Sequence, residues 1–561
     1  MNATDALVQL RAAEDAGGAA GAAVPVPAGS PNGPDAVRVH PDDDVAVLVR
    51  ALPAGADVVV DGVRVTLAED VPAGHKVALR ALPTGSVVTK YGMPIGATTA
   101  DVAPGAWVHS HDLATRLSGT EEYAWNGGTH VILSGHRPRR ILDAPRRSVR
   151  DPSVAALPQD DTLAAHERSE PTFLGYRRTN GRVGTRNEVW IVNTVGCVNT
   201  AAERIARIAA ERYRDRVDGV HAFAHPYGCS QLGDDLRATQ AILAGLLRHP
   251  NAGGVLVLGL GCENNQMAEL LALAGDDVDR SRLRSFNTQD VDDEVEAGLD
   301  AVAELVARLA DDRREPCPLS DLVLGHKCGG SDGFSGITAN PLLGRLADRV
   351  TAHGGRVLLT EVPEMFGAEQ VLMDRCADRE TFGALVAMVN DFKDYFLRHG
   401  QPVYENPSPG NKAGGLTTLE EKSLGAIQKG GRATVTDVRR YGQPVRRAGL
   451  TLLEAPGNDG VSSTAMVASG ATLLLFTTGR GTPLGFPVPT LKVSSNSAIA
   501  AKKPHWIDFD AGRMLSGGTT LDALCDELLA LVCDVASGRT LANNERHGYR
   551  EIAIWKAGVT L

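Results

Sequence analysis

Four cysteines recur at one phase of a repeating pattern, and this recurrence constrains the fold more than any other feature of the chain. Each follows a short apolar run: Val195-Gly196-Cys197, Tyr227-Gly228-Cys229, Leu260-Gly261-Cys262 and His326-Lys327-Cys328. The intervals are 32 residues (197 to 229), 33 (229 to 262) and 66, twice 33 (262 to 328). A strand, a turn and a helix together take about 30 residues, so the interval is one βα unit. The cysteines then fall just past the C-terminal ends of successive parallel strands, the edge where open α/β sheets bind ligands. A glycine before each of the first three lets the backbone turn tightly and approach a bound group.

The surrounding pattern agrees. Apolar runs at Val189 to Val195, Val220 to Ala224, Val255 to Leu260, Leu322 to Leu324, Val357 to Thr360 and Leu473 to Phe476 read as buried strands. Amphipathic stretches at Ala201 to Tyr213, Asp235 to Leu247, Met267 to Ala274 and Asp293 to Leu309 read as helices between them. The alternation predicts an α/β region with a mostly parallel, Rossmann-like sheet covered by helices. It divides into a second domain, 171–315, and a C-terminal catalytic domain, 316–561. Segment 400–450 is Gly/Pro/Lys-rich and reads as irregular chain serving a site or an interface.

Ahead of it, β-rich runs at Val45 to Val49, Val58 to Val60, Val63 to Leu67, Lys76 to Leu79 and Val87 to Lys90 alternate with Gly and Pro. They predict a small all-β module over 37–115. Residues 1–36 read as an Ala/Gly/Pro-rich disordered tail. Residues 116–170, with Arg137, Arg139, Arg140, Arg146, Arg147 and Arg150, read as a long solvated linker.

Composition excludes several classes. Lys+Arg number 57 and Asp+Glu 68, a net charge of −11, which opposes a general nucleic-acid binder. No apolar run reaches the roughly 18 residues that span a bilayer, and the N-terminus lacks a basic signal-peptide start. Eight cysteines in 561 residues are too few for a disulfide scaffold, which points to reduced thiols and a cytoplasmic protein without membrane or nucleic-acid partners.

The chemistry-bearing residues gather at the same strand ends. Cys317, Cys376, Cys525 and Cys533 lie in helical or loop patterns and read as small buried apolar groups. Cys229, Cys262 and Cys328, with Cys197 nearby, read as ligands of a borderline or soft metal, either Fe(II) or an iron–sulfur cluster. CxxC pairs are absent, which disfavours a zinc ribbon. His225, Glu263, Asp332, Glu361 and Glu364 are acid/base candidates at the same edge. Asn406 to Gly415, with Asn411 and Lys412, and Thr477 to Thr482, with Arg480, join glycines to cations as carboxylate-binding loops do. A local ion pair from Lys412 to Glu420 is the plain alternative. No Walker loop, complete GxGxxG or GxSxG occurs.

Several long strings are specific enough to place the chain. Gly196-Cys-Val-Asn199, His225-Pro-Tyr-Gly-Cys-Ser-Gln-Leu-Gly-Asp-Asp235, Gly259-Leu-Gly-Cys-Glu-Asn-Asn-Gln266 and Cys328-Gly-Gly-Ser-Asp-Gly-Phe-Ser-Gly-Ile-Thr-Ala-Asn-Pro341 resemble the altronate/galactarate dehydratase family. So do Thr360 to Glu369, Asn406 to Gly415 and Thr478 to Thr482. The β module resembles that family's SAF (β-clip) domain through Gly74-His-Lys-Val-Ala78, Lys90 to Gly96 and Val108-His-Ser-His111. Tyr404 to Pro407, His505 to Gly512 and the ending Lys556 to Leu561 lie closer to the altronate branch.

The resemblance implies loss of water from a sugar acid, altronate giving 2-keto-3-deoxygluconate, as a step in hexuronate breakdown. It also implies a requirement for Fe2+, with Mn2+ accepted, and a homodimer. A galactarate dehydratase and a related hydroxy-acid lyase that expels another group, such as sulfite, are the near alternatives. A non-catalytic sugar-acid or metal-binding protein is the alternative of another class. For the reaction itself, Arg480 and Lys412 are expected to hold the substrate carboxylate, with His225 or Glu361 moving protons. His75, Lys76, Lys90, His109 and His111 are expected to form a mobile lid that touches the substrate.

Overall fold

The structure, a computed structural model, describes residues 33–125 and 171–558. Most of the expected tail and linker, at 1–32 and 126–170, and residues 559–561 lie outside the described residues.

The β module folds as the alternation of short runs and turns requires. Strands Val45–Leu48, Asp57–Val60, Val63–Thr66, Lys76–Ala78, Val87–Lys90 and Met93–Thr98 pair antiparallel in small sheets. Their turns carry glycines at positive φ, among them Gly62 and Gly85, a backbone state closed to most side chains.

The remainder is α/β. A small sheet is ordered Val220–Phe223, Glu188–Asn193, Ala252–Gly259, Leu283–Asn287, with every neighbouring pair parallel. A large sheet of seven parallel strands runs Val435–Arg439, Gly449–Leu453, Arg356–Leu359, Val323–Cys328, Leu473–Thr478, Thr490–Ser494, Phe509–Asp510. In each sheet the chain first builds outward on one side and later returns to the other side of its first strand. The resulting crevices lie between Glu188–Asn193 and Ala252–Gly259, and between Val323–Cys328 and Leu473–Thr478. Ligands bind at such switch points, outside the carboxyl ends of the strands.

The two sheets share one core. Trp190, Val192, Phe223, Leu243 and Val255 of the first pack with Leu453, Met466, Leu474 and Phe476 of the second. At the amino ends of the strands, Thr185 Oγ1 and Asn251 Nδ2 both donate to the Thr472 carbonyl, at 3.0 and 3.2 Å. At the other end, helices Gly233–Leu247 and Asp459–Ala468 are bridged by the C-terminal segment. Ala557 donates to Asp235 (2.8 Å), and Ala553 to Thr464 (3.0 Å). Both carboxyl edges therefore open on the same side.

Three expectations change. Residues 116–125, read as linker, pack on the C-terminal domain: Trp125 meets Phe382, and Lys393 Nζ donates to the Tyr123 hydroxyl at 2.8 Å. Segment 400–450 holds helices Pro409–Ala413 and Leu419–Ala426 and a strand. All eight residues of Leu419–Ala426 are buried, since the helix lies between the β module and the catalytic domain. The β module is docked in this structure: Lys76 and Lys90 both reach Glu421, and Lys76 Nζ also donates to the Gly415 carbonyl at 2.8 Å.

Candidate active site

The large-sheet switch point is built from two glycine-rich turns. Gly479 and Arg480 donate their backbone N–H groups to the Gly330 carbonyl, each at 3.1 Å. Gly330 stands at φ +61° and Gly481 at +82°, which explains the glycines. Beneath them Asp332 Oδ1 accepts from the Ser335 and Ser495 hydroxyls at 2.8 Å, and Oδ2 from Asn496 at 3.0 Å. Burial pushes the Asp332 carboxyl up while these donors pull it down. Its role is to brace the turns: a Cβ on Gly479 would strike it.

The cations expected to bind a carboxylate come together here. Arg480 is exposed and donates to the Gly410 carbonyl at 3.2 Å, which sets it against the loop that carries Lys412. No carboxylate pairs with Arg480 or Lys412 among the described residues. Glu420, the plain alternative partner for Lys412, instead accepts from Thr115 (2.9 Å) and the Arg116 amide (2.7 Å). Asn411 is buried, donating to the Ser331 carbonyl at 2.9 Å and accepting from Lys422 at 3.1 Å. It therefore positions the loop.

Below the turns lies a buried charge network. Glu361, at φ +70°, follows strand Arg356–Leu359 and accepts from Lys327 and, at 3.1 Å, from Lys429. Glu364 accepts from Lys422 at 2.9 Å and lies 3.3 Å from the Cys328 sulfur. Lys327 also donates to Asp459 at 2.8 Å, and Lys422 to Asn406 at 3.0 Å. Burial pushes the Cys328 thiol up to about 12, aided by Glu361 and Glu364, so it is a neutral donor. Burial and Glu364 hold Glu361 above the usual carboxylate range. For Glu364, burial is outweighed by Lys422, Lys327 and Lys429, which pull it down. Three ammonium groups thus balance Glu361, Glu364 and Asp459.

Cys328, Glu361 and Glu364 offer donor atoms within 4.8 Å of one another, the one such group of three among the described residues. A divalent ion does not fit it as arranged. Each donor faces an ammonium, and Lys327, Lys422 and Lys429 hold their protons more tightly than a free lysine, their neighbouring acids outweighing burial.

The expected thiolate set divides. Cys328 belongs to the large sheet and is buried; Cys229 and Cys262, with Cys197, are exposed on loops of the small sheet. The equal spacing hid a change of sheet, because strands Leu283–Asn287 and Glu315–Pro318 intervene in the 66-residue interval.

His225 is also placed differently from expectation. Its Nε2 lies 2.9 Å from the Asn193 carbonyl and its Nδ1 accepts from the Tyr227 amide at 3.2 Å, so both ring nitrogens brace a loop. Burial lowers its pKa, as that neutral role requires. Lys76 is fully buried between Glu421 (2.9 Å) and the Gly415 carbonyl (2.8 Å), out of a substrate's reach. Lys90 sits 2.7 Å from the same carboxylate. His75 accepts from Trp107 at 3.1 Å and bonds to the Ala413 backbone; burial lowers its pKa to about 4. His109 Nε2 lies 2.9 Å from the Lys412 carbonyl. These two rings hold the glycine-rich loop by its backbone. His111 remains exposed, stacked 6.3 Å from His109.

Sequence reasoning passed over Lys422, Lys429, Asp459 and Glu421. Only Lys327, also passed over, carried a signal: a lysine in the mostly apolar strand Val323–Cys328, which requires buried counter-charges. The other four lie in helices or a turn, where charge is ordinary.

Comparison with known proteins accounts for all three regions. Family models for the altronate/galactarate dehydratase SAF domain, the D-galactarate dehydratase/altronate hydrolase second domain and the D-galactarate/altronate dehydratase C-terminal domain match residues 34–116, 175–310 and 319–560. The altronate dehydratases of Escherichia coli K12 and Bacillus subtilis 168 are 49% and 46% identical, each alignment covering 94% of this chain and 99% of the relative. The E. coli galactarate dehydratase (L-threo-forming) is 32% identical over 92% of this chain and 96% of its own. With its regions matched in this order and nearly half its residues shared across almost the full length of such relatives, the chain belongs to the altronate/galactarate dehydratase family.

Proposed function

We propose that this protein removes water from a sugar acid, D-altronate first, to give 2-keto-3-deoxy-D-gluconate in a cytoplasmic, dimeric enzyme of hexuronate breakdown. The observation that carries this is the pair Arg480 and Lys412, two cations without a carboxylate partner, on loops that meet at the large-sheet switch point above a buried acid network. Near-half identity to altronate dehydratases favours altronate over galactarate.

The reaction breaks the C2–H and C3–OH bonds; hydroxide takes a proton and leaves as water, and the enol ketonises. The C2 proton is weakly acidic because it stands beside a carboxylate. Arg480 and Lys412 offset the charge that builds on that carboxylate as the proton leaves. Glu361 is fully buried and cannot touch the substrate, so it acts through Lys327. Asp459 is the member of the network whose side chain is 37% exposed, and it is the proton acceptor in this reading. Iron, expected from the resemblance, has no place in the lysine-bound group, and no step here is routed through it.

The test is anaerobic incubation with altronate and, separately, galactarate, followed by assay of 2-keto acid. Altronate should be consumed with the higher kcat/KM; no keto acid from either substrate would overturn the reading.

A further inference from the structure

A cavity of about 500 Å³ lies against Val220–Phe223, the outermost strand of the small sheet. Arg186 and Asp218 line it, and they stand just before strands Glu188–Asn193 and Val220–Phe223. It therefore sits toward the amino ends of the strands, away from the carboxyl edge that carries Arg480. One wall is helix Asn199–Arg212 with the strand; the other is the C-terminal domain, through Leu541, Gly548 and Arg550. A hollow of this size between two domains is the usual setting of a small-ligand site.

Its surface is partly apolar. Ala206 and Ala210 of the helix and Ala222 of the strand line it, and their small side chains leave the space open. Leu541, on the C-terminal side, is 45% exposed, a large apolar side chain that nothing in the chain covers.

The polar groups divide into those already used and those left over. Arg186 forks onto both oxygens of Glu545 at 2.7 and 2.8 Å, and Arg550 lies 3.1 Å from Glu188. These two pairs clamp the domains together beside the hollow and neutralise both acids. Arg314 is fixed by backbone carbonyls instead, those of Leu174, Thr185 and Ala536 at 2.8, 3.0 and 3.0 Å, and its acid neighbour Asp218 stands off at 3.4 Å. A guanidinium held in place by carbonyls can still take a carboxylate. His221 Nε2 is buried without a hydrogen bond, 3.5 Å from Glu188. Arg207 and Glu203, one helical turn apart, line the cavity and have no hydrogen-bond or ion-pair partner among the described residues, each other included.

The groups left over are thus two arginines, one carboxylate and an apolar wall. We propose that this cavity is a second ligand site and binds a small hydroxy acid. The carboxylate lies on Arg207 and Arg314, the hydroxyl donates to Glu203, and the hydrocarbon rests on Ala206, Ala210 and Leu541. Bound there, the ligand touches both domains and adds its binding free energy to their contact. The site does not depend on which acid the enzyme dehydrates.

The test uses the full-length enzyme with 3-hydroxybutanoate, and inorganic phosphate at equal ionic strength in a parallel arm. 3-Hydroxybutanoate should raise the melting temperature saturably, by about 2 °C or more, and phosphate should not. The shift should persist in Arg480→Ala, which lacks the carboxylate contact of the reaction site. It should vanish in Arg207→Ala, and also in Ala210→Leu, which fills the space without changing charge. A shift kept in Arg207→Ala and lost in Arg480→Ala would place the binding in the reaction site and overturn the proposal. An equal shift with phosphate, or no shift with either probe, would overturn it too. Binding is read here without turnover, so its failure leaves the dehydratase reading standing, and absence of keto acid leaves this site standing.

Discussion

Arg480 is the residue on which the substrate reading can be tested most sharply. Its fork lies in a turn flanked by Gly479 and Gly481, with Asp332 filling the space below. Arg480→Lys keeps the charge and loses the planar two-pronged contact. A lost contact of roughly 1.5–3 kcal/mol should lower kcat/KM about tenfold or more, read by keto-acid release. Asp459→Asn separates chemistry from binding: kcat should fall by about a hundredfold or more with KM little changed, as expected for a lost proton acceptor. An unchanged kcat would move that role elsewhere. Glu421 tests structure instead. Removing it by Glu421→Ala leaves Lys76 and Lys90 buried without a counter-charge, at a cost of about 3–5 kcal/mol, measurable by denaturant unfolding.

At the scale of elements, the helix Leu419–Ala426 and the strand ends of the β module act as one joint. Thr418 donates to the Ile95 carbonyl, the Tyr91 hydroxyl lies against Gly336, and His75 and His109 grip the loop before the helix. The joint is acid-sensitive, and both of its main titrating groups act with the same sign. Burial, then His109 and Lys76, depress the His75 pKa from 6.5 to about 4, so its contribution is full above about 6.5 and is lost as pH falls toward 4. Glu421 lies below its ordinary 4.5, because Lys76 and Lys90 outweigh burial, so its contribution is full above 4.5 and is lost below it. The melting temperature should therefore be level near pH 7 and fall steadily between about pH 6.5 and 4. A flat profile over that window would show that the joint does not titrate. The same joint shows where sequence stops being legible. Most strands of the β module and the central strands of both sheets announce themselves, since half-buried strands alternate and doubly covered ones run apolar. Leu283–Asn287, Val435–Arg439, Gly449–Leu453 and Thr490–Ser494 go unread among polar or Gly-rich neighbours. Leu419–Ala426 does not, because a helix buried on every side loses the amphipathic period, and its Glu421 and Lys422 look solvated until their partners across the joint are known. The switch points were legible as strand-end cysteines and glycines. What the spacing could not convey was that Cys328 begins a second sheet, since a βα repeat reads alike within one sheet and across two.

The whole molecule places two carboxyl edges side by side and caps one of them with the β module. The module's hold on the Lys412 loop is non-covalent, through His75, His109 and the Lys76–Glu421–Lys90 triad. A chain opened between residues 126 and 170, with both halves present, should retain its kcat and KM. The 171–561 part alone should lose most of its kcat/KM, because nothing then holds the loop. Full activity from that part by itself would show the module to be dispensable. A different consequence follows from the antiparallel pair in which Thr172 faces Pro318 and Gly175 faces Glu315. The small-sheet domain enters and leaves through one doorway, its two ends already neighbours in space. Joined by a tight turn, those two strands would close as a hairpin and leave the frame's remaining strand pairs unbroken. Closing the doorway in this way would strip the cover from Leu474 and Phe476, so whatever stands there must bring an apolar face of its own.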